Sequence, residues 1–86
     1  MLKFWAKTIL EQKITRDLLY KQFIKYNGEF LLEHLIEICH ELDIPTPILT
    51  KTHINHFAEF NVVRFKPADF VESIDFDYLM IENCSE

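Results

Sequence analysis

The chain has 86 residues and a formal net charge of −5, and 49% of its residues are hydrophobic. A domain of this length buries only about 60–65% of the surface of its unfolded chain, so a partner or self-association would add stability. One glycine and three prolines exclude a collagen-like or linker-rich chain. No apolar run reaches the length of a membrane span, and lysines interrupt the N-terminus where a signal peptide needs its hydrophobic region. We expect one cytoplasmic domain over residues 1–86, without a membrane partner and with Cys39 and Cys84 reduced.

Charge is distributed unevenly along the chain. Up to Tyr26 there are six basic and two acidic residues, whereas from Asn27 onward three basic residues stand against twelve acids. Such an asymmetry suits a chain that binds a second copy or a charged partner. The simplest interpretation is that the two halves neutralise each other on folding.

The first predicted element is a strand over residues 2–10. The side chains of LKFWAKTIL alternate with period two, which places Phe4 and Ala6 on one face and Trp5 and Ile9 on the other. One face of this strand is therefore expected to be buried.

A second strand, over residues 14–20, is predicted to form a hairpin with the first. A three-residue loop over residues 11–13 pairs Ala6 with Leu18 in the core. A two-residue loop over residues 11–12 would place Asp17 opposite Ala6 on the apolar face, so packing favours the longer loop. That register also predicts the pairs Leu10–Ile14, Phe4–Tyr20 and Lys7–Asp17.

The same region has a helical alternative. Residues 6–26 are rich in helix formers, and Leu10, Ile14 and Leu18 recur every four residues. Asn27 and Gly28 suit the C-cap of such a helix. This alternative would make the protein mostly α-helical.

The clearest amphipathic pattern runs over residues 28–44, GEFLLEHLIEICHELDI. Asn27 is a favourable N-cap, and Pro45 ends the helix because it excludes helical geometry at Ile44. The apolar side chains of this helix share one stripe, which consists of Leu31, Leu35, Ile38 and Leu42 with Leu32 and Cys39 beside them.

Further elements complete the predicted fold. A second helix capped by Thr50 or Thr52 runs to about Val63, and its inward side chains are Ile54, Phe57, Ala58 and Phe60. The segment PADF forms a turn that Phe70 anchors, and residues 76–82 form a last strand with Leu79 and Ile81 on one face. The order β-β-α-α-β predicts an α+β domain, a three-stranded antiparallel sheet with two helices on one face and the last strand beside the first.

Three stretches of the chain, KFWAK followed by KI, EICHELDIPTPI and VVRFKPADFVESIDFDYLMIE, resemble a family of short uncharacterised bacterial proteins. The resemblance covers nearly the whole chain. It implies a bacterial cytoplasmic protein and the β-β-α-α-β order. It implies no activity and no functional residues.

Metal binding is one candidate function. His53 and His56 stand three residues apart at a predicted helix start, a spacing that places two imidazoles on one side. No second paired motif of the zinc-site type accompanies them. A small metal-binding or metal-sensing protein is therefore the alternative hypothesis.

Catalysis and nucleic-acid binding have less support. Cys39 and His40 are adjacent and project about 100° apart on a helix, so they do not form a nucleophile and base pair. Lys3, Trp5 and Lys7 form a small basic and aromatic surface, but the acidic body repels phosphate. We expect no enzymatic activity, no cofactor and no nucleic-acid partner.

Binding of a protein partner, or of a second copy as a homodimer, is the preferred hypothesis. Trp5, Ile9 and Leu19 would form an apolar patch on the open face of the sheet. A row of glutamates on the central helix sets like charges four residues apart, which a basic partner would relieve: Glu33, Glu37 and Glu41.

Overall fold

The structure is a computed structural model, and it describes residues 1–85. The elements are strands β1 (Leu2–Leu10) and β2 (Lys13–Gln22), helices α1 (Leu31–Leu42) and α2 (Lys51–Phe60), and strands β3 (Val62–Phe65) and β4 (Tyr78–Asn83). Short 3-10 turns lie at Gly28–Phe30 and Pro67–Asp69. All strand pairs are antiparallel in the order β2-β1-β4-β3, so β2 and β3 are the edges of the sheet.

The α+β class is confirmed, but the three-stranded sheet and its β-β-α-α-β order are wrong. The missed strand is β3, which the sequence assigned to the end of the second helix. Asn61 ends α2 in the left-handed conformation, with φ of 59°, and the chain turns into β3. Val62 and Val63 then pair with β4, because β-branched side chains suit an extended backbone. The mostly helical alternative is wrong, since residues 6–26 hold most of two strands.

The β1–β2 hairpin combines features of both predicted loops. Its turn has two residues, Glu11 and Gln12, with φ of 51° and 67°, as tight hairpin turns require. The predicted three-residue loop is therefore wrong. Thr15 is an extra residue of β2 in the register, which is a β-bulge. Beyond the bulge Ala6 pairs with Leu18, so the bulge restores the predicted core register despite the shorter turn.

The bulge divides the predicted cross-strand pairs into two groups. The pairs Phe4–Tyr20 and Lys7–Asp17 lie beyond it and are confirmed. Nearer the turn Ile14 pairs with Ile9, so the predicted Leu10–Ile14 pair is wrong. The Thr15 hydroxyl lies 2.8 Å from the Thr8 hydroxyl, a contact that holds the extra residue in place.

Asn27 caps the 3-10 turn before helix α1, and Asp43 ends the helix itself. The Asn27 side chain accepts a hydrogen bond from the Glu29 N–H at 3.0 Å, so the predicted cap begins the 3-10 turn that leads into α1. Asp43 ends the helix in the left-handed conformation, with φ of 57°. The Arg16 guanidinium donates to the Leu42 and Asp43 carbonyl oxygens at 3.2 and 3.3 Å. This contact ties the end of α1 to β2 at the negative end of the helix dipole.

Both helices pack on one face of the sheet, as predicted. The stripe of α1 is buried, although Leu32 beside it is exposed. Phe57 is the single buried residue of α2, and Ala58 and Phe60 are exposed against prediction, because α2 meets the core through one turn. Neither helix within residues 1–85 has the length and apolarity needed to span a bilayer. The predicted positions of other core residues are confirmed for Phe70, Leu79 and Ile81.

Candidate interaction site

The edge strand β2 leaves most of its length in contact with solvent. Only Tyr20 of its ten residues is buried. Ile14 and Leu19 are 49% and 46% exposed, and Phe23, just past the strand, is 92% exposed. An edge strand presents unpaired backbone N–H and C=O groups, which are able to pair with another strand. Within the described residues 1–85, strand β2 therefore combines free backbone groups with exposed apolar side chains.

The direction of the backbone groups in β1 follows from two hydrogen bonds. The carbonyl oxygens of Lys3 and Ile9 accept from N–H groups on the β4 side, at 2.8 and 2.7 Å. Residues two apart in a strand direct their backbone groups the same way, so the N–H and C=O groups of the odd-numbered residues of β1 point towards β4. The backbone N–H and C=O groups of the residues between them, such as Phe4 and Ala6, therefore point towards β2.

The free groups of β2 can be identified from the same alternation. Tyr20 and Leu18 are opposite Phe4 and Ala6, so their backbone groups bond within the sheet. The backbone groups of Asp17, Leu19 and Lys21 consequently point away from the sheet. These are the groups that a further strand would meet.

A concavity of about 560 Å³ lies between β2 and α1. Residues 18–22 form one wall, and Glu37, His40 and Glu41 form the other. Two members of the predicted glutamate row thus lie beside the open edge. Glu33 is exposed one turn earlier on the same helix.

A partly buried hydrogen-bond cluster joins the two walls of this concavity. The Tyr20 hydroxyl donates to the Glu37 carboxylate and lies 3.0 Å from Nδ1 of His34. A tyrosine has one hydroxyl proton, so Nδ1 of His34 must donate to the Tyr20 oxygen. Burial, together with the hydrogen bond to Glu37, raises the pKa of Tyr20 to about 12. The hydroxyl therefore acts as a structural donor that fixes α1 against β2.

The burial of His34 was not predicted from the sequence. His34 stands three residues after Leu31 and four before Ile38, which places it on the apolar stripe of α1. That spacing was the signal for its burial. Its Nε2 atom is buried without a hydrogen-bond partner among residues 1–85.

The three residues of the predicted apolar patch lie on the predicted face of the sheet, but they are not all exposed to solvent. Trp5, Ile9 and Leu19 lie on the sheet face opposite the helices, since their neighbours along each strand point into the core. Leu19 is exposed, Trp5 is half-buried and Ile9 is buried. Leu19 is therefore the one member of the trio with a large free surface.

Lys7 covers Trp5 and is itself only 6% exposed. Its Nζ atom lies 3.4 Å from the centre of the Trp5 ring and 2.7 Å from Oε1 of Glu82. The Trp5 indole N–H donates to Oδ2 of Asp17 at 3.1 Å. On this face of the sheet, Trp5 and Lys7 are thus covered by their neighbours through a cation–π contact and two charge-assisted hydrogen bonds.

The two candidate metal-binding histidines have structural roles at α2. Nδ1 of His53 accepts a hydrogen bond from the Thr50 N–H at 3.1 Å, so the neutral ring carries its proton on Nε2, which faces Asp69 at 3.4 Å. His53 therefore has no free lone pair. The His56 ring lies 2.8 Å from the Val62 carbonyl oxygen through Nδ1. Within residues 1–85 no group of three or more His, Cys, Asp and Glu side chains is placed to hold a metal ion.

A concavity of about 400 Å³ beside these histidines is also lined by Arg64 and Lys66. The Arg64 guanidinium carbon lies 5.7 Å from the centre of the Tyr78 ring. Because Arg64 and Tyr78 are both on the sheet face opposite the helices, this guanidinium is directed away from the histidines. Arg64 and the two histidines therefore do not converge on one point.

Comparisons with known proteins gave no match: no model of a known family fits the chain, and searches of curated proteins and of solved structures found no similar protein. The resemblance to short bacterial proteins, and the bacterial origin that it implies, stay predictions. We therefore infer a function from the geometry of β2 and α1.

Proposed function

We propose that this protein is a non-enzymatic binding module that recognises a partner protein by adding a strand of that partner to β2. The observation that carries the proposal is the open ten-residue edge on which Asp17, Leu19 and Lys21 direct their backbone groups outward. Strand addition supplies affinity through main-chain hydrogen bonds and specificity through alternate side chains.

The side chains around β2 support the same proposal. On one side of an added strand, Leu19 offers an apolar contact between Asp17 and Lys21. On the other side, Glu37 and Glu41 line the concavity between β2 and α1. An added strand would therefore meet an apolar centre flanked by charges, which is the anatomy of a specific interface.

The opposite edge of the sheet is less suited to strand addition. Strand β3 has four residues, and the carbonyl oxygen of Val62 is already engaged by the His56 ring. Short, covered edges resist pairing with other chains. The proposal is therefore specific to β2.

The reactive side chains support a role other than catalysis. Burial raises the pKa of the Cys39 thiol to about 12, which disfavours the nucleophilic thiolate at neutral pH. Tyr20 is held as a neutral donor by Glu37. The resemblance to short bacterial proteins would place such a module in a bacterial cytoplasm as an accessory protein.

The proposal is tested with two substitutions of one residue. Leu19→Pro removes an outward N–H without removing a hydrogen bond inside the sheet, whereas Leu19→Val keeps both the N–H and an apolar side chain. Each folded variant is immobilised, and the proteins that it retains from a lysate of the source organism are compared with those retained by the unmodified chain. We expect Leu19→Pro to lose specific partners that Leu19→Val keeps.

Amide hydrogen exchange on the unmodified chain provides the second measurement. Addition of a captured partner should slow exchange at Leu19 and Lys21, whose N–H groups face away from the sheet. Retention of the same proteins by Leu19→Pro, together with unchanged exchange at these two amides, would contradict strand addition.

A further inference from the structure

We propose that β2 recognises a second copy of this chain, with the two β2 strands antiparallel about a twofold axis at Leu19. The pairing would join two four-stranded sheets into one sheet of eight strands. This inference rests on the proposed strand addition and names its partner. It is carried by the order of charges along β2.

The register about Leu19 is complementary to itself. Leu19 faces Leu19 of the second copy, and Asp17 of each copy faces Lys21 of the other. All three residues direct their backbone groups outward, so these are hydrogen-bonded pairs of an antiparallel ladder. Opposite charges at directly facing positions stabilise such a ladder.

Neighbouring registers lack this complementarity. An axis at Asp17 or at Lys21 sets two like charges opposite each other, which is destabilising. An axis at Leu18 or at Tyr20 sets Leu19 opposite a charged residue and leaves no oppositely charged pair on this face. The residues of β2 therefore select the axis at Leu19.

The charged groups that this register needs are accessible. Among residues 1–85 Lys21 makes no ion pair, and its side chain is exposed. Asp17 accepts the Trp5 indole N–H through Oδ2, which leaves its second carboxylate oxygen for a lysine. Each of the two symmetric pairs would gain an interaction without breaking one.

The helix side of the junction sets a limit on the strength of the dimer. Leu18, which is half-buried, faces Tyr20 of the second copy, and the two α1 helices lie on the same side of the joined sheet. Glu37 and Glu41 of the two copies then face each other across the axis, and these like charges oppose association. Glu41→Gln should therefore strengthen the dimer.

A pair of charge-reversed variants tests the register. Asp17→Lys alone sets lysine against lysine, and Lys21→Glu alone sets acid against acid, whereas one copy of each restores both ion pairs. By sedimentation velocity we expect a concentration-dependent dimer for the unmodified chain and about tenfold weaker dimers for each variant. An equimolar mixture should form a heterodimer at about the affinity of the unmodified chain.

A crosslink provides a test that does not alter the charges. In a Cys84→Ser background, Leu19→Cys places two thiols at the axis, where facing Cα atoms are about 5.5 Å apart, within disulfide range. Oxidation should yield a covalent dimer. Gln22→Cys in the same background is the control and should crosslink far less.

Two failures can be told apart. A chain that stays monomeric at every concentration, or variants whose mixture associates no better than each alone, would overturn the second copy as partner. Strand addition would still stand if Leu19→Pro lost other captured proteins. If Leu19→Pro changed neither self-association nor capture, the proposed function itself would fail.

Discussion

The Lys7 ammonium lies 3.4 Å from the centre of the Trp5 ring, and both side chains are on the sheet face that the helices leave uncovered. The same ammonium reaches Glu82 at 2.7 Å. A charged residue is thus buried by an aromatic neighbour and neutralised by a carboxylate. This arrangement leaves Leu19, on the adjacent edge strand, as the exposed apolar group beside Trp5.

Glu82→Gln is expected to lower the free energy of unfolding by about 1–3 kcal/mol, because it leaves the Lys7 charge buried without its partner. Lys7→Met should cost less, since the methionine keeps the packing on Trp5 and removes the charge. Urea unfolding followed by Trp5 fluorescence measures both. Strictly additive losses in the double variant would contradict a direct coupling between Lys7 and Glu82.

Stability should fall at alkaline pH through Tyr20. Its pKa is about 12 in the folded protein against an ordinary value of 10, so its contribution is complete below pH 10 and is lost as the pH rises towards 12. Cys39, with its pKa raised from 9 to about 12, adds a similar loss that begins at lower pH. Unfolding free energies measured between about pH 9 and 11 should decline less steeply in Tyr20→Phe. Tyr78→Phe, on the opposite sheet face, is the control, and an unchanged slope in Tyr20→Phe would contradict this account.

The hairpin turn should accept a stabilising substitution. Glu11 and Gln12 both have positive φ, which costs an ordinary side chain about 1 kcal/mol or more. Replacement of the pair by Asn-Gly should raise the free energy of unfolding by about 1 kcal/mol. Gln22→Gly in extended backbone is the control and should destabilise. Thermal melting distinguishes the two directions, and a lower midpoint for the Asn-Gly variant would refute the turn geometry.

Zinc should not bind stoichiometrically at His53 and His56. Nδ1 of His53 accepts the Thr50 N–H, so its other nitrogen carries the proton and offers no lone pair to a metal. Addition of one equivalent of zinc is expected to leave the melting midpoint unchanged. A midpoint raised by zinc in the unmodified chain but not in His53→Ala would revive the metal-binding hypothesis.

Strong periodic patterns predicted the parts of the fold that depend on burial. The stripe of α1 and the alternation in β1 and β4 identified Leu35, Phe4 and Ile81 as core residues, because burial imposes periods of 3.6 and 2. Strand β3 was not predicted because its four residues are too few to show a period-two alternation. Its true signal was Val62 and Val63 after an asparagine that can adopt the left-handed conformation.

Local irregularities also limited the prediction of the site. The bulge at Thr15 allows a two-residue turn to give the same core register as a three-residue loop. The hydrophobic pattern is the same in both cases, so it could not reveal the bulge. Lys7 was expected in water because its strand position faces outward, yet it packs on the Trp5 ring, pairs with Glu82 and is buried. The predicted sheet already left β2 at an edge, because it placed the last strand beside the first. Which backbone groups of β2 point outward could not be predicted, because that follows from the hydrogen bonds on the β4 side of β1.

The most direct test of the β2 edge is amide hydrogen exchange measured by NMR at low and high protein concentration. In a dilute sample the amides of Leu18 and Tyr20, which face β1, should exchange slowly, and those of Leu19 and Lys21 should exchange fast. At high concentration we predict that Leu19 and Lys21 become protected as a strand is added to β2. Protection of these two amides in the dilute monomer, or fast exchange at every concentration and with every captured partner, would contradict β2 as the binding surface.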